Sequence, residues 1–398
     1  MERIAAFNAG RNASRVARKY ELMRADPFVF FRGTAHLFWE DWAAHASALD
    51  DVPLAWSCGD LHLENFGSFR GDNRLVYFDV NDFDDAALAP VTADVVRLLT
   101  SAHLAARSLR LTSRDAGALC SHFLDAYSAS LLDGKAKWVE RATSAGMVRG
   151  LLRKASERRQ KDLLRSRTIV AKGKVRLRID GQRTEKLSSK ERAVVAEVVH
   201  EFAESARGLP HEPRCFRVLD VAARIAGTGS LGVRRYVVLT RGSDEPNGHF
   251  LLDIKEAEPS SLATNLTTAQ PRWRNEAVRV VSIQHRMQAV SAALLASVTI
   301  GNRQFVLREL QPTEDRLALA QWNGKLSRLT RVLATMGHVT AWAQLRSASR
   351  QGSSGIDDLI AFGKGGVSRK VVLDYARDYA HEVEDNWREF AGGTTKIA

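Results

Sequence analysis

The sequence predicts an α+β protein with two lobes. Between about Phe216 and Leu310, short apolar runs divided by turn-forming residues indicate the element order β-β-β-α-β-β. On both sides of this module, apolar residues recur at the spacing typical of helices. We therefore expect a mostly helical lobe formed by residues 1–215 and 313–398, and a five-stranded lobe formed by residues 216–312.

The composition is that of a globular protein with a basic surface. The 398 residues are 45% hydrophobic, which is enough for a large core, and the formal net charge is +12. Basic residues are densest from Lys135 to Lys190. Such a block can bind nucleic acid, an anionic membrane surface or a phosphorylated substrate, but it more often forms a solvated helix face.

The cysteines and the hydropathy pattern indicate the compartment. Cys58, Cys120 and Cys215 are widely spaced without a CxxC pair, which argues against a disulfide framework or a zinc site and favours a cytoplasmic location. No apolar run approaches the roughly 20 residues that a membrane-spanning helix needs. We expect neither a secretory signal nor a membrane segment.

The elements before the five-stranded module place a polar loop between two strands. Residues Thr34–Ser47 are predicted to be helical, and Leu54–Ser57 and Arg74–Phe78 are predicted strands. The remaining predictions outside the module are helices within Val91–Arg165, a hairpin strand at Val175–Ile179, a helix capped by Ser188 and Glu191, and helices at Arg316–Ser349 and Ser368–Phe390.

The segment from Cys58 to Asn65, Cys-Gly-Asp-Leu-His-Leu-Glu-Asn, carries residues suited to phosphoryl transfer. Asp60 supplies a carboxylate that can accept a hydroxyl proton, and Asn65 supplies an amide oxygen that can hold a divalent ion. His62 lies between them, and we interpret it as a residue that orients the loop. Two oxygen ligands on one tight loop suit Mg²⁺.

A second polar segment follows the next predicted strand. Its four carboxylates carry more negative charge than a surface turn needs. Their mutual repulsion is relieved if they share a cation. The alternative is a solvated turn with one helix cap, but two such loops at this spacing favour a cation site. The carboxylates are Asp79, Asp82, Asp84 and Asp85.

The five-stranded module contains a glycine loop, Gly227-Thr-Gly229-Ser230-Leu-Gly232. A dinucleotide-binding loop joins a strand to a helix, whereas this loop joins two strands and is followed by a third strand that ends near Lys255. This order indicates a kinase-type nucleotide clamp in which Lys255 faces phosphates, with Glu276 as its preferred partner and Gln284 as a second candidate. The predicted elements are strands Asp220–Ala226, Val233–Thr240, Phe250–Ile254, Ser297–Ile300 and Gln304–Leu310, and a helix at Asn275–Leu295.

These motifs resemble those of the protein-kinase-like superfamily, in particular the aminoglycoside phosphotransferase and choline kinase branch, whose catalytic loop reads His-Gly-Asp-x-His-x-x-Asn. The chain is most similar to the bacterial family called domain of unknown function 2252. The segments that carry this resemblance include Phe30–Gly33, Gly59–Gly67, Phe78–Asp85, Asp94, Ile254–Ala257, Gln284–Gln288 and Phe305–Arg308.

The resemblance implies a role for each matching residue. Asp60 would be the base, Asn65 and Asp82 the Mg²⁺ ligands, Lys255 the phosphate contact and Asp94 a support of the catalytic loop. The position of the metal aspartate is ambiguous, so Asp79 or Asp84 could replace Asp82. Cys58 stands where the phosphotransferases have histidine, and the catalytic loop precedes the glycine loop, so the implied kinase-like fold is circularly permuted.

The expected function is transfer of the ATP γ-phosphoryl group to a hydroxyl, with Mg²⁺ as cofactor. The short connector between Asp82 and Asp94 favours a small-molecule acceptor over a protein. The alternatives are a nucleotide-binding pseudokinase or regulator, an AMP transferase, a nucleic-acid-binding protein that uses Lys135–Lys190, and a metal-dependent hydrolase. The identity of the acceptor and the oligomeric state stay open.

Overall fold

The structure is a mixed α+β fold, as the sequence predicts. The predicted helix end at Ser47 and the predicted boundary between residues 312 and 313 lie outside the described residues. The computed structural model describes residues 1–45, 49, 51–205, 213–242, 248–311 and 316–393.

Within the described residues, four helices with defined bounds precede the first strand: α1 (Glu2–Phe7), α2 (Ala13–Ala25), α3 (Pro27–Gly33) and α4 (Ala35–His45). Two of them begin with capping side chains. The Asn12 side chain accepts a hydrogen bond from the Arg15 amide at 3.1 Å, and the Asp26 side chain accepts one from the Val29 amide at 3.0 Å. Pro27 follows Asp26, where its missing N–H costs no helical hydrogen bond.

Short strands carry the two polar loops: β1 (Leu54–Ser57), β2 (Phe66–Arg70), β3 (Val76–Val80), β4 (Ala87–Pro90) and the later β5 (Val139–Glu140). β1 pairs with β4, and β3 pairs with β2 and β5. Residues 58–65, which we call the catalytic loop after the role expected from the sequence, therefore join β1 to β2, and the acidic loop, residues 81–86, joins β3 to β4. The sequence does not predict β2, because Gly67 and Ser68 are weak strand formers.

The next elements are α5 (Thr92–Ala105), α6 (Ser113–Asp133), α7 (Gly146–Glu157), α8 (Gln160–Arg167), the hairpin β6 (Thr168–Ala171) and β7 (Lys174–Leu177), β8 (Thr184–Glu185) and α9 (Ser189–Ser205). The predicted capping box is confirmed at the start of α9. The Ser188 hydroxyl accepts a hydrogen bond from the Glu191 amide at 3.2 Å, and the Glu191 carboxylate accepts one from the Ser188 amide at 3.1 Å.

An antiparallel sheet holds the glycine loop and contains β9 (Val218–Arg224), β10 (Arg235–Thr240), β11 (Phe250–Glu256), β12 (Ala296–Ile300) and β13 (Arg303–Glu309). The spatial order of the sheet is β12-β13-β11-β10-β9-β8. The described sheet has six strands rather than the predicted five, because β8 pairs with the outer edge of β9. Two residues are too short a run for periodicity to reveal a strand.

The segment before residue 215 also contributes to the sheet's apolar face. Val195 and Val199 of α9 join an apolar cluster with Val238 and Leu252 of the sheet. Some residues that pack on the sheet therefore come before residue 215, where the sequence placed the boundary between the lobes.

Two helices lie between β11 and β12: α10 (Ser261–Asn265) and α11 (Glu276–Met287). α11 is shorter than the predicted helix, which was expected to continue to Leu295. The backbone becomes extended at Gln288, whose buried side chain donates a hydrogen bond to the Val80 carbonyl at 2.7 Å. This contact takes the chain away from the helix axis.

The chain ends with α12 (Leu326–Ser347), α13 (Ile356–Gly363) and α14 (Arg369–Gly392). α12 packs on α6, and α14 packs on α5. One apolar cluster therefore contains residues from both ends of the chain, such as Phe31, Leu98, Leu333 and Ala376. None of the helices within the described residues is long and apolar enough to span a membrane.

Gly337 of α12 lies against the backbone of α6, and its substitution tests the packing of the two helices. A Cβ at Gly337 would lie 2.4 Å from the Phe123 carbonyl oxygen, whereas a Cβ at Gly117 of α6 would meet no atom within 4 Å. We expect Gly337→Ala to lower the free energy of unfolding by about 1–3 kcal/mol and Gly117→Ala to raise it by about 0.5–1 kcal/mol. Denaturant unfolding measures both, and equal effects would contradict this packing.

Candidate active site

A buried carboxylate on α5 fixes the catalytic loop. Asp94 accepts hydrogen bonds from the Cys58 amide at 2.9 Å and from the Gly59 amide at 3.2 Å, and burial raises its pKa. Gly59 has φ +82°, and a Cβ there would lie 2.1 Å from the Asp85 carbonyl oxygen. Only glycine fits at this position, so the catalytic loop lies directly against the acidic loop.

The carboxylate of Asp60 is held by a buried arginine that the sequence did not mark as a site residue. Arg97 Nε donates to Asp60 Oδ1 at 2.8 Å, and Arg97 Nη2 donates to the same oxygen. The Arg97 side chain is fully buried, and its guanidinium lies 4.1 Å from the ring centre of Phe31 and 5.0 Å from that of Phe38. This arrangement fixes Asp60 while its second oxygen, Oδ2, lies 3.9 Å from His62 Nε2.

Desolvation raises the pKa of Asp60 to about 7, although the charge of Arg97 acts in the opposite direction. Burial and the nearby Arg32 hold the pKa of His62 well below its usual range, so His62 is neutral. Arg32 Nε lies 3.2 Å from His62 Nε2, and Arg32 also forms an ion pair with Glu64. The Glu64 amide lies 3.1 Å from His62 Nδ1, so His62 lies within the loop that it was predicted to orient.

Asn65 connects the catalytic loop to the acidic loop. Its Oδ1 accepts a hydrogen bond from the Asp82 amide at 2.8 Å, and its Nδ2 donates to the carbonyl oxygens of Asp60 at 3.1 Å and Asp82 at 3.3 Å. The amide oxygen therefore faces the Asp82 segment. Because a carbonyl oxygen has two lone pairs, this contact leaves one for a cation.

The acidic loop separates the three candidate metal aspartates. Asp82 has the most exposed side chain of the three, 54% accessible, and lies 3.8 Å from Lys255. Asp84 forms a direct ion pair with Lys255. Asp79 is buried and lies 3.4 Å from Arg346 of α12. Its carboxylate is thus paired with an arginine outside the two loops, whereas Asp82 and Asp84 lie beside Lys255.

The electrostatics also distinguish Asp82 from its neighbour. Desolvation would raise the pKa of Asp82, but Lys255 and Arg308 lower it below the ordinary value. Desolvation and the charge of Asp82 raise the pKa of Asp84. Asp82 is thus the more readily ionised of the two carboxylates.

The predicted pairing of Lys255 with Glu276 is wrong. Glu276 accepts a hydrogen bond from Arg279 Nε at 2.6 Å, one turn along α11, while the acidic loop offers Lys255 the nearer carboxylate of Asp84. Gln284, the second candidate, is buried and donates to Gln288 at 3.1 Å. Arg279, three residues after Glu276 on the same helix, takes the carboxylate that was expected to pair with Lys255. The spacing in sequence did not show which of the two cations would bind Glu276.

Arg279 is a structural residue that sequence reasoning missed. Its Nη2 donates to the carbonyl oxygens of Asp84 at 2.8 Å and Glu258 at 3.0 Å, and its Nη1 donates to that of Ala86 at 2.5 Å. Three carbonyl oxygens from two segments therefore converge on one buried guanidinium. α11 thus positions the backbone of the acidic loop instead of pairing with Lys255.

The glycine loop is held by two basic side chains, Lys19 of α2 and Arg11 of the segment between α1 and α2. The buried Lys19 Nζ donates to the Gly229 carbonyl at 3.1 Å, and Arg11 Nη1 donates to the same oxygen at 3.2 Å. Gly232, with φ +97°, packs against Arg11, whose Cβ would lie 2.9 Å from a Cβ at this glycine. Sequence patterns did not predict these contacts, because Lys19 and Arg11 are more than 200 residues away from the glycine loop in sequence.

Two cavities meet at these loops. The outer cavity, about 440 Å³, is bordered by the N-terminal helices, the glycine loop and the acidic loop. The inner cavity, about 210 Å³, lies between the catalytic loop and the sheet. The predicted residues Asp79, Asp94, Gly232 and Glu276 lie outside the linings of both. The outer cavity is lined by Asp60, His62, Asp82, Asp84, Gly227, Gly229 and Ser230, and the inner cavity by His62, Asn65, Asp82, Gly227, Ser230 and Lys255.

The oxygen atoms at the junction of the cavities fit Mg²⁺. This ion uses one or two carboxylates and completes its shell with water and phosphate oxygens. Asp82 and the free lone pair of Asn65 Oδ1 supply donors of this kind. Within the part of the chain that the structure describes, no group of three or more His, Cys, Asp or Glu side chains is arranged to hold a metal.

A family model matches residues 11–392, which is nearly the whole chain. The chain belongs to the family described as an uncharacterized protein conserved in bacteria (DUF2252). Neither the comparison with curated proteins nor that with solved structures found a match. The DUF2252 resemblance given by the sequence is thereby confirmed, and the arguments about chemistry rest on the geometry of the site.

The Arg97–Asp60 pair can be tested through protein stability. We expect Arg97→Met to lower the free energy of unfolding by about 3–5 kcal/mol, because it leaves the carboxylate of Asp60 desolvated and unpaired. Adding Asp60→Asn should recover part of this loss. The control Arg369→Met removes the exposed ion pair with Asp125 and should cost less than about 1 kcal/mol.

Denaturant unfolding of the wild type, Arg97→Met, Asp60→Asn and the double variant gives the coupling energy between the two side chains. Strictly additive effects of Arg97→Met and Asp60→Asn would show that the two side chains do not interact.

Proposed function

We propose that this DUF2252 protein is a Mg²⁺-dependent phosphotransferase that moves the terminal phosphoryl group of ATP to a hydroxyl of a small-molecule acceptor. The observation that carries the proposal is the convergence of Asp60, Asn65, Asp82 and Lys255 with a glycine loop around two connected cavities. Phosphoryl transfer requires mainly positioning and charge stabilisation, which these groups supply.

Each side chain has a separate task in this proposal. Asp60 accepts the proton of the acceptor hydroxyl on Oδ2 while Arg97 holds Oδ1. Lys255 neutralises phosphate charge, and the amides of the glycine loop surround phosphate oxygens. Asn65 and Asp82 would hold Mg²⁺. When bound, ATP and Mg²⁺ supply the phosphoryl group and a Lewis acid that stabilises its charge.

The order of elements supports a kinase-like, circularly permuted fold. In protein kinases, a glycine-rich loop covers the phosphates, the phosphate lysine lies on the third strand, and a helix follows. Here the glycine loop joins β9 to β10, Lys255 lies on β11, and α11 follows. The catalytic and acidic loops come earlier in the chain, so the same parts occur in permuted order.

The outer cavity is the proposed acceptor site. His36 borders it, stacks on Phe7 with ring centres 4.0 Å apart, and has no hydrogen-bond partner for either ring nitrogen among the described residues. Burial and the charge of Lys19 lower the pKa of His36 to about 3, so the ring is neutral. A neutral imidazole in the cavity that Asp60 also borders can bind a polar acceptor.

Binding of ATP with Mg²⁺ tests the proposal. We expect calorimetric titration to give micromolar affinity that falls about tenfold or more in Lys255→Ala and in Asp82→Asn, because each removes a contact to a charged group. The surface variant Lys370→Ala should bind as the wild type does, since Lys370 is 84% exposed and pairs with Asp374 on its own helix.

A wild-type protein that binds no nucleotide would overturn the proposal. Binding without any ATP hydrolysis or transfer in an acceptor screen would instead support a nucleotide-binding regulator, and release of pyrophosphate would indicate AMP transfer.

The pKa of Asp60 makes a prediction for the pH profile. Because Asp60 must be ionised to accept a proton and its pKa is raised to about 7, kcat/KM should fall about tenfold per pH unit below pH 7 and reach a plateau above it. Steady-state ATP turnover between pH 5.5 and 9 measures this profile. A rate that is constant across pH 5.5–7, with the protein folded throughout, would exclude Asp60 as the base.

A further inference from the structure

The inner cavity is strongly basic, and this property is not explained by the proposed reaction centre. Two carboxylates, Glu64 and Asp82, also line it. Of its described lining residues, only Ala226 carries a purely apolar side chain. The basic side chains that line the cavity are Arg32, Arg224, Arg235, Lys255, Arg308 and Arg316.

Three of these arginines share one buried carboxylate beneath the cavity. Arg235 forms two hydrogen bonds with Asp253, Arg224 Nη1 lies 2.8 Å from Asp253 Oδ1, and Arg308 Nε lies 3.9 Å from Oδ2. Asp253 is 1% exposed, and each arginine side chain is at most 16% exposed. Three positive charges against one negative charge leave an excess of two in a largely buried cluster.

An excess of buried positive charge is costly unless an anion balances it. Burial and the charge of Arg235 lower the pKa of Arg224 to about 10, which reflects this cost. Of the two lining carboxylates, Glu64 pairs with Arg32, and Asp82 lies beside Lys255 while also feeling the charge of Arg308. Among the described residues, Asp253 is the carboxylate within ion-pair distance of Arg224, Arg235 and Arg308.

The residues that line the inner cavity are also unlike those of a nucleobase-binding site. Pockets for drug-sized ligands are mostly apolar and measure about 300–1,000 Å³. The inner cavity measures about 210 Å³ and is walled by guanidiniums. Protein kinases carry Val-Ala-Ile-Lys on the third strand, but here the residue two before Lys255 is the charged Asp253. The charged lining of the inner cavity therefore suits the triphosphate of ATP and not its base.

We propose that the inner cavity binds phosphates of the donor, so that the donor is recognised by its phosphate chain and not by a nucleobase. This inference rests on the proposed function. The planar forks of Arg224, Arg235 and Arg308 suit phosphate oxygens, and Arg308 is anchored for this role because its Nη1 donates to the Asn81 carbonyl at 3.1 Å. An inorganic polyphosphate chain is the ligand class that satisfies this lining.

The test compares Mg²⁺ complexes of tripolyphosphate and ATP with adenosine by calorimetry on the full chain. We expect tripolyphosphate to bind at least as tightly as ATP and adenosine not to bind. Arg308→Gln should weaken both anions at least tenfold, and Arg308→Lys should retain part of the affinity. Arg369→Gln should have no effect, because Arg369 is exposed and is not among the residues that line the cavity. Circular dichroism and thermal unfolding confirm that each variant is folded.

Each other outcome has a definite meaning. Adenosine binding, ATP binding more than tenfold tighter than tripolyphosphate, or unchanged affinity in a folded Arg308→Gln would overturn this inference. If ATP binding is still lost in Lys255→Ala, the proposed phosphotransferase function survives that result. If neither anion binds the wild type, both the inference and the proposed function are overturned.

Discussion

The buried contact between Arg97 and Asp60 is the interaction on which the site depends. Arg97 is fully buried among aromatic rings, where an unpaired guanidinium would be costly, and Asp60 lies in a desolvated cleft, where an unpaired carboxylate would be costly. Each charge makes the burial of the other tolerable. The pair therefore links the helical core, through α5, to the atom proposed to accept the proton.

The remaining geometry of the loops follows from this anchor and from backbone contacts around it. Asp94, three residues before Arg97 on α5, holds the start of the catalytic loop through two amides. Gly59 brings that loop against the acidic loop, and Asn65 joins the two from the other end. Arg279 holds the acidic loop from α11. Rigid support of this kind is what catalysis by positioning requires.

Charge divides the cleft into two parts. The outer cavity is bordered by Asp60, Asp82 and Asp84, whereas arginines and Lys255 outnumber the carboxylates in the lining of the inner cavity. The two meet at Asp82 and the glycine loop. An anionic donor and a polar acceptor would approach this junction from opposite sides, which is the arrangement that transfer of a phosphoryl group needs.

The sequence by itself determined the element types and the chemical groups. Hydrophobic periodicity predicted the α+β class and the strands on either side of the glycine loop, and the spacing of Asp60 and Asn65 indicated one polar loop. These features are local, so they can be read from neighbouring residues. The family resemblance was also carried by such local motifs.

Only the tertiary structure decided which charges meet. It paired Lys255 with Asp84 and Glu276 with Arg279, placed Asp79 beside Arg346, and added β8 to the sheet. It also brought Arg97, Lys19 and Arg11 to loops that are distant in sequence. Ion pairing is set by distance and burial in space, and a one-dimensional pattern contains neither.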